Sequence, residues 1–267
     1  MNKHVNLSQI ILLGFFLGFI TLSCSDDNSS SAGEDAPEIP STIVNVEPDI
    51  SYFEQNNPEK ASTSSSGNYD NYYSAKYMAT SSVIIFTIFD VYSGFLESGM
   101  GEEAEYNDGI WSWNYNYNFS GVNSEMSLTA EMGSSSTHWA LSWSYDAGEE
   151  SIDDYIIMEG SVASDGNSGE WTLNSLEEDG STEIPFLHSQ WTIFSETKEE
   201  LEVEILEDGS SVFYTRSGSE YTIAMDFTDS DSITIYWNTS TSTGYYQEGD
   251  INNRLCWDSD FNSVTCS

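Results

Sequence analysis

Cations are what this sequence has least of. Six Lys and Arg stand against 45 Asp and Glu in 267 residues, a formal net charge of −39. A nucleic-acid partner needs a basic patch to displace its counterions, and this composition excludes one. An anionic lipid headgroup layer is equally unwelcoming to the body of the chain. Histidine is nearly as scarce, with only His4, His138 and His188. No two of these stand at zinc-ligand spacing, so a zinc site has little to start from. Cysteine is limited to Cys24, Cys256 and Cys266. The apolar run from Ile10 to Ile20 falls short of the roughly 20 residues that cross a bilayer, and Asp90 interrupts the next apolar region.

What the N-terminus does have is the layout of an export signal. Lys3 and His4 precede the apolar run, and Thr21-Leu22-Ser23-Cys24 follows it. A positive start, an apolar core and a small residue before the cut describe a secretory signal over residues 1–23. Ser23-Cys24 resembles a lipobox, whose cysteine carries the acyl chains, although Thr21 stands where that pattern prefers Leu. Cys24-Ser25-Asp26-Asp27 is similar to the acidic export signal of surface-exposed Bacteroidota lipoproteins. The resemblance spans a few residues and implies an address: lipid attachment at Cys24 and the outer-membrane surface, with the periplasmic face as the alternative. With Cys24 lipidated, Cys256 and Cys266 remain to form a disulfide in an oxidising compartment.

Residues 24–68 are rich in Ser, Asp, Asn, Glu and Pro, with a brief apolar interruption at Ile43 to Val46. They read as an acidic flexible tether with a reach of about 35 to 40 Å. The body is expected over residues 69–267. Residues 74–98 carry helical spacing, with Tyr77, Ile84, Ile88, Tyr92 and Phe95 on one stripe and Met78, Ile85, Phe89 and Leu96 beside it. The competing reading is a buried strand from Val83 to Phe89.

From Gly109 onward the period is two. Trp111, Trp113, Tyr115, Tyr117 and Phe119 alternate with Ser and Asn, and the pattern returns around Leu128, Leu141, Ile223 and Ile235. Such alternation marks half-buried strands, and Asp-Gly and Ser-Gly pairs between them mark tight turns. Roughly ten or eleven hairpin-linked strands make an antiparallel meander. The expected class is therefore mainly β: a long meander closing into a barrel or strongly curved sheet, with the helix packed on or in it. A membrane barrel would need a lipid-facing apolar band where this second face carries Asn, Ser, Thr and Glu.

No catalytic constellation emerges. Asp165 to Glu170 superficially resembles the setting of the trypsin-like nucleophile, but its position of the acid is Asn167 and no histidine stands in the family's upstream position. Carboxylate pairs such as Glu149/Glu150, Asp153/Asp154, Glu177/Glu178 and Glu199/Glu200 carry little information in so acidic a chain. Asp258, Asp260 and Asn262 have the opening spacing of a calcium loop, but Ser263 stands where an EF-hand requires Gly. Arg216 is expected to pair with Glu220 across the Gly218 turn. No cofactor is expected. The aromatic face, represented by Trp111, Trp113, Tyr115, Trp139 and Trp143, is either core or the lining of a pocket for an apolar or glycan ligand. The leading expectation is a lipid-anchored envelope protein, a non-catalytic binding barrel. The alternative is a structural or interaction protein without a small-molecule ligand.

Overall fold

The structure is a computed structural model that describes residues 36–38, 47–58, 68–119, 122–146, 151–176 and 182–266. Cys24, Asp26, Asp27 and the signal segment lie outside the described residues, as do Lys60, Glu149/Glu150 and Glu177/Glu178. Two helices come first, α1 (Ser51–Gln55) and α2 (Asp70–Met100). Fourteen strands follow: β1 (Glu105–Asn107), β2 (Ile110–Phe119), β3 (Val122–Met132), β4 (Ser136–Asp146), β5 (Ser151–Ala163), β6 (Ser168–Leu176) and β7 (Glu183–Ser195). The second half holds β8 (Lys198–Ile205), β9 (Ser210–Ser217), β10 (Glu220–Asp226), β11 (Ile233–Asn238), β12 (Thr243–Glu248), β13 (Arg254–Trp257) and β14 (Ser263–Val264).

All fourteen strands form one antiparallel sheet in strict sequence order. Tight turns enforce that order. At the first, Asp108 (φ 50) and Gly109 (φ 94) take the left-handed conformations that a two-residue hairpin needs. Strands β1 and β14 do not pair, so the closure expected of a barrel is not formed and the sheet is open.

Helix α2 bridges this sheet. Near its start, the Asn71 side chain donates to the Cys256 carbonyl (2.8 Å) and Tyr72 packs edge-on against Trp257 (5.7 Å between centroids). At its far end, Gly99 meets Tyr115 and Leu128. The rise over these roughly 27 residues is about 40 Å, against about 48 Å for the ten or so strand spacings between β3 and β13.

The stripe read from sequence meets the core at Ile88, Tyr92, Phe95 and Leu96 but departs from it at Tyr77 and Ile84. Tyr77 is 72% exposed and Ile84 64%, whereas Tyr72, Ala75, Ala79, Ser82, Phe86, Ser93 and Leu96 are buried. The reason is volume. The facing sheet surface is paved with Trp and Tyr, and a line of Ala and Ser lets the helix backbone approach it.

Inside the sheet, large residues sit opposite small ones. Trp139 faces Ala130 and Gly160, Trp171 faces Gly160, Trp191 faces Gly169, and Trp257 faces Gly244. A β-carbon at Gly160, Gly169 or Gly244 would collide with the opposing indole. Each glycine therefore serves as a slot for a ring.

Residues 47–58, read from sequence as part of the tether, pack onto the body. Tyr52 and Phe53 of α1 are buried, and Phe53 lies 5.0 Å from Trp237 and 5.7 Å from Tyr72. Trp257 Nε1 donates to the Tyr52 hydroxyl (3.1 Å), which donates in turn to the Ser242 carbonyl (3.1 Å). Phe261 completes this knot at 4.9 Å from Tyr72. Full burial of each such ring contributes on the order of 1.5–3 kcal/mol.

Candidate functional site

The aromatic residues singled out from sequence do assemble, but as core. Trp111, Trp113, Tyr115 and Trp139 share the inner face of β2 and β4 at 9%, 2%, 7% and 1% exposure. Trp113 and Trp139 stack across the intervening strand with ring centres 5.9 Å apart, and small Ala130 of that strand stands opposite both Trp111 and Trp139. The Tyr115 hydroxyl donates to the Phe95 carbonyl of α2 (2.7 Å), which ties strand to helix. Trp143 is half-buried and packs on Tyr145 at 5.0 Å. The indole N–H groups of Trp111, Trp139, Trp171, Trp191 and Trp237 are buried with no acceptor among the described residues. An orphan donor of this kind costs about 1–3 kcal/mol, which the ring's apolar burial must outweigh.

The other sequence candidates are dispersed. His138 stands exposed on the outer face, its Nδ1 3.4 Å from Ser161 Oγ. His188, three strands away, has Thr172 Oγ1 at 3.2 Å and Glu170 at 3.9 Å. Asp165 caps its own turn by accepting from the Asn167 N–H (3.0 Å), and that hydrogen bond holds its carboxyl below the usual range. Asp258 Oδ1 is occupied likewise by the N–H groups of Asp260 (3.0 Å) and Asn262 (2.9 Å). Among the described residues no three His, Cys, Asp or Glu side chains are placed to hold a metal ion. Cys256 and Cys266 are joined, with their Cα atoms 5.3 Å apart.

Arg216 departs from its expected partner. Its guanidinium lies 3.9 Å from Glu199 and over the Tyr221 ring at 5.5 Å, because Glu199 is its direct cross-strand neighbour on the inner face. Glu220 accepts instead from the Tyr236 hydroxyl (3.1 Å). Asp49, from the segment before α1, closes the group: its N–H donates to the Tyr214 hydroxyl (3.2 Å) and its carboxylate accepts from Tyr221 (3.5 Å). Burial, with Glu199 beside it, pushes the Tyr214 phenol well above its ordinary pKa. This cluster seats the N-terminal segment on the sheet.

Strand alternation alone did not bring two features forward. One is at the sheet's end: a concavity of about 540 Å³ opens at the edge of β11–β13, lined by inward Tyr246, Glu248 and Leu255 together with Asp231, Asn252, Asn253 and outward Arg254. Beside it, on the outer face, Tyr236 and Tyr245 stack across strands at 5.4 Å, and Arg254 lies over Tyr245 at 4.2 Å. No protein-family model, curated protein or solved structure matches the chain. Any functional assignment therefore rests on the chemistry of these surfaces. None of Trp111, Trp113, Tyr115, Trp139 or Trp143 borders the concavity. The nearest sequence signal to the outer row is Tyr245-Tyr246, where alternation sends Tyr246 inward and Tyr245 outward.

Proposed function

We propose that this chain is a non-catalytic, lipid-anchored protein of the outer-membrane surface that works by contact between its outer face and another envelope macromolecule. The observation that carries the choice between contact and enclosure is the use of the inner face. Trp139, Trp171, Trp191 and Trp257 are matched to glycine or alanine slots, and α2 packs on β2–β3 at one end and on β11–β14 at the other within the same core. A pocket for an apolar ligand would have to displace this packing, and the barrel reading depended on such a pocket. The address rests on the Cys24 region and the acidic residues after it.

Two measurements test the reading. Titration of the full chain with polysaccharides and fatty acids should leave tryptophan emission unchanged. A saturable shift would restore the enclosed-ligand reading. Separately, Cys24→Ser should release the protein into the soluble fraction and abolish labelling by an acyl-chain probe. Replacing Asp26 and Asp27 with Ala should reduce protease shaving of intact cells while lipidation persists. Unchanged membrane association of Cys24→Ser would overturn the anchor.

A further inference from the structure

We propose that the outer face of β9–β13, centred on Tyr236, Tyr245 and Arg254, is the docking surface for a protein partner that presents a flat neutral face ringed by Lys and Arg. This rests on the surface-contact reading above and gives it a place.

The first argument is charge. On the outer face of β8 stand Glu202 and Glu204, and the ends of β10 carry Glu220 and Asp226. Between them the outward positions of β9–β13 are Ser, Thr, Ala, Asn, Gln, Cys, Phe and Tyr, and the one charge among these described positions is that of Arg254. In a chain of net charge −39 this is a neutral strip rimmed by acids, one of which, Glu220, holds the Tyr236 hydroxyl. Phe213, 36% exposed, lies at one side of it and the Tyr236–Tyr245 pair at the other.

The second argument is the state of Arg254. Its Nε donates to Gln247 Oε1 (2.7 Å) and its plane rests on Tyr245. No carboxylate among the described residues lies within ion-pair distance of it, although 45 acids are available. Stacking and the Gln247 bond fix the guanidinium while its terminal N–H donors are left for a ligand group. Preorganised Tyr and Arg side chains of this kind dominate the energetics of protein interfaces.

The geometry selects among occupants. Sugar rings stack on free aromatic faces, but here Tyr236 covers one face of Tyr245 and Arg254 the other. Tyr245 therefore offers its edge and hydroxyl, which suits a protein surface. A polyanion would be repelled by the acidic surround. A second copy would set two acidic rims face to face. A basic rim on the partner complements the acids and should make association salt-sensitive.

The test is photo-crosslinking in cells that make the full chain, with benzoylphenylalanine at Thr234 in the patch or at Thr129 on the outer face of β3. The expected result is one discrete protein adduct from position 234 and none from 129. High salt should abolish it, and Arg254→Ala or Tyr236→Ala should cut it about tenfold with circular dichroism unchanged. An adduct from 129 but not 234, or one indifferent to Arg254→Ala and Tyr236→Ala, would overturn this site while leaving the surface-contact reading intact. A protease-resistant, periodate-sensitive adduct or one of dimer mass would overturn the partner assignment. No adduct from either position would overturn both.

Discussion

Gly160 on β5 lies directly opposite Trp171 on β6, so close that a β-carbon on the glycine would stand 2.5 Å from the indole Cε3. The same pairing recurs at Gly169 with Trp191 and at Gly244 with Trp257. Gly160→Ala and Gly169→Ala should therefore each destabilise the fold by about 1–3 kcal/mol through overpacking, read as a lower urea midpoint. Adding Trp191→Leu to Gly169→Ala should recover part of the loss. Strictly additive effects would show that the slot does not act as a pair.

Helix α2 offers a contrast between the apparent and the actual core. Ala79 is fully buried, so Ala79→Leu should cost about 1–3 kcal/mol. Ile84→Ser, at an exposed position, should stay within about 0.5 kcal/mol of the parent. Thermal melts of the two variants would decide it, and a reversed order would restore the stripe read from sequence.

Much of the sheet was legible because burial on one face imposes a period of two, as at Trp111 to Tyr115 and at Ile233 to Trp237. The hairpin order followed from the turn residues. Other features depended on partners far away in sequence. Whether Trp171 and Trp191 line a pocket or fill a core is decided by Gly160 and Gly169 on the neighbouring strands. In the first half of α2 hydrophobicity points to Tyr77 and Ile84, while the facing aromatics select Ala75 and Ala79; its second half, Ile88 to Leu96, packs as its spacing indicates. Two-residue β14 and three-residue β1 are too short to show any period.

Alkaline pH should weaken the structure. Burial pushes the Tyr52 phenol up to about 12, from an ordinary value of 10.0. Tyr72, Tyr115, Tyr155 and Tyr214 are raised by burial in the same direction. The folded chain holds these protons more tightly than the unfolded one. The Tyr52 contribution is complete below pH 10 and is lost as pH rises through about 12, and the other four hold their protons still higher. Unfolding followed by circular dichroism should thus coincide with tyrosinate absorbance at high pH. Tyrosinate formation well before unfolding would contradict the burial.

The disulfide should matter beyond its own loop. Cys256→Ser with Cys266→Ser should cost about 2–3 kcal/mol. It also frees the segment that seats Phe261 against Tyr52 and Tyr72. Mass spectrometry of the unreduced parent should find the C-terminal peptide about two mass units light, the two hydrogens lost on oxidation. Two free thiols in freshly secreted protein would contradict the export assignment.

The strict sequence order of the sheet also sets a timetable. Each strand can pair with the one just made, and local pairing of this kind carries a low loop-closure cost. Helix α2 does not share that locality. Its carboxyl end can find β2 and β3 early, but the seat of its amino end, on β11–β14, is the last part synthesised. Until then Phe53, Tyr72 and Ala75 have no surface to meet. An exported chain that has emerged only as far as β10 would hold a growing edge of hairpins and a half-docked helix.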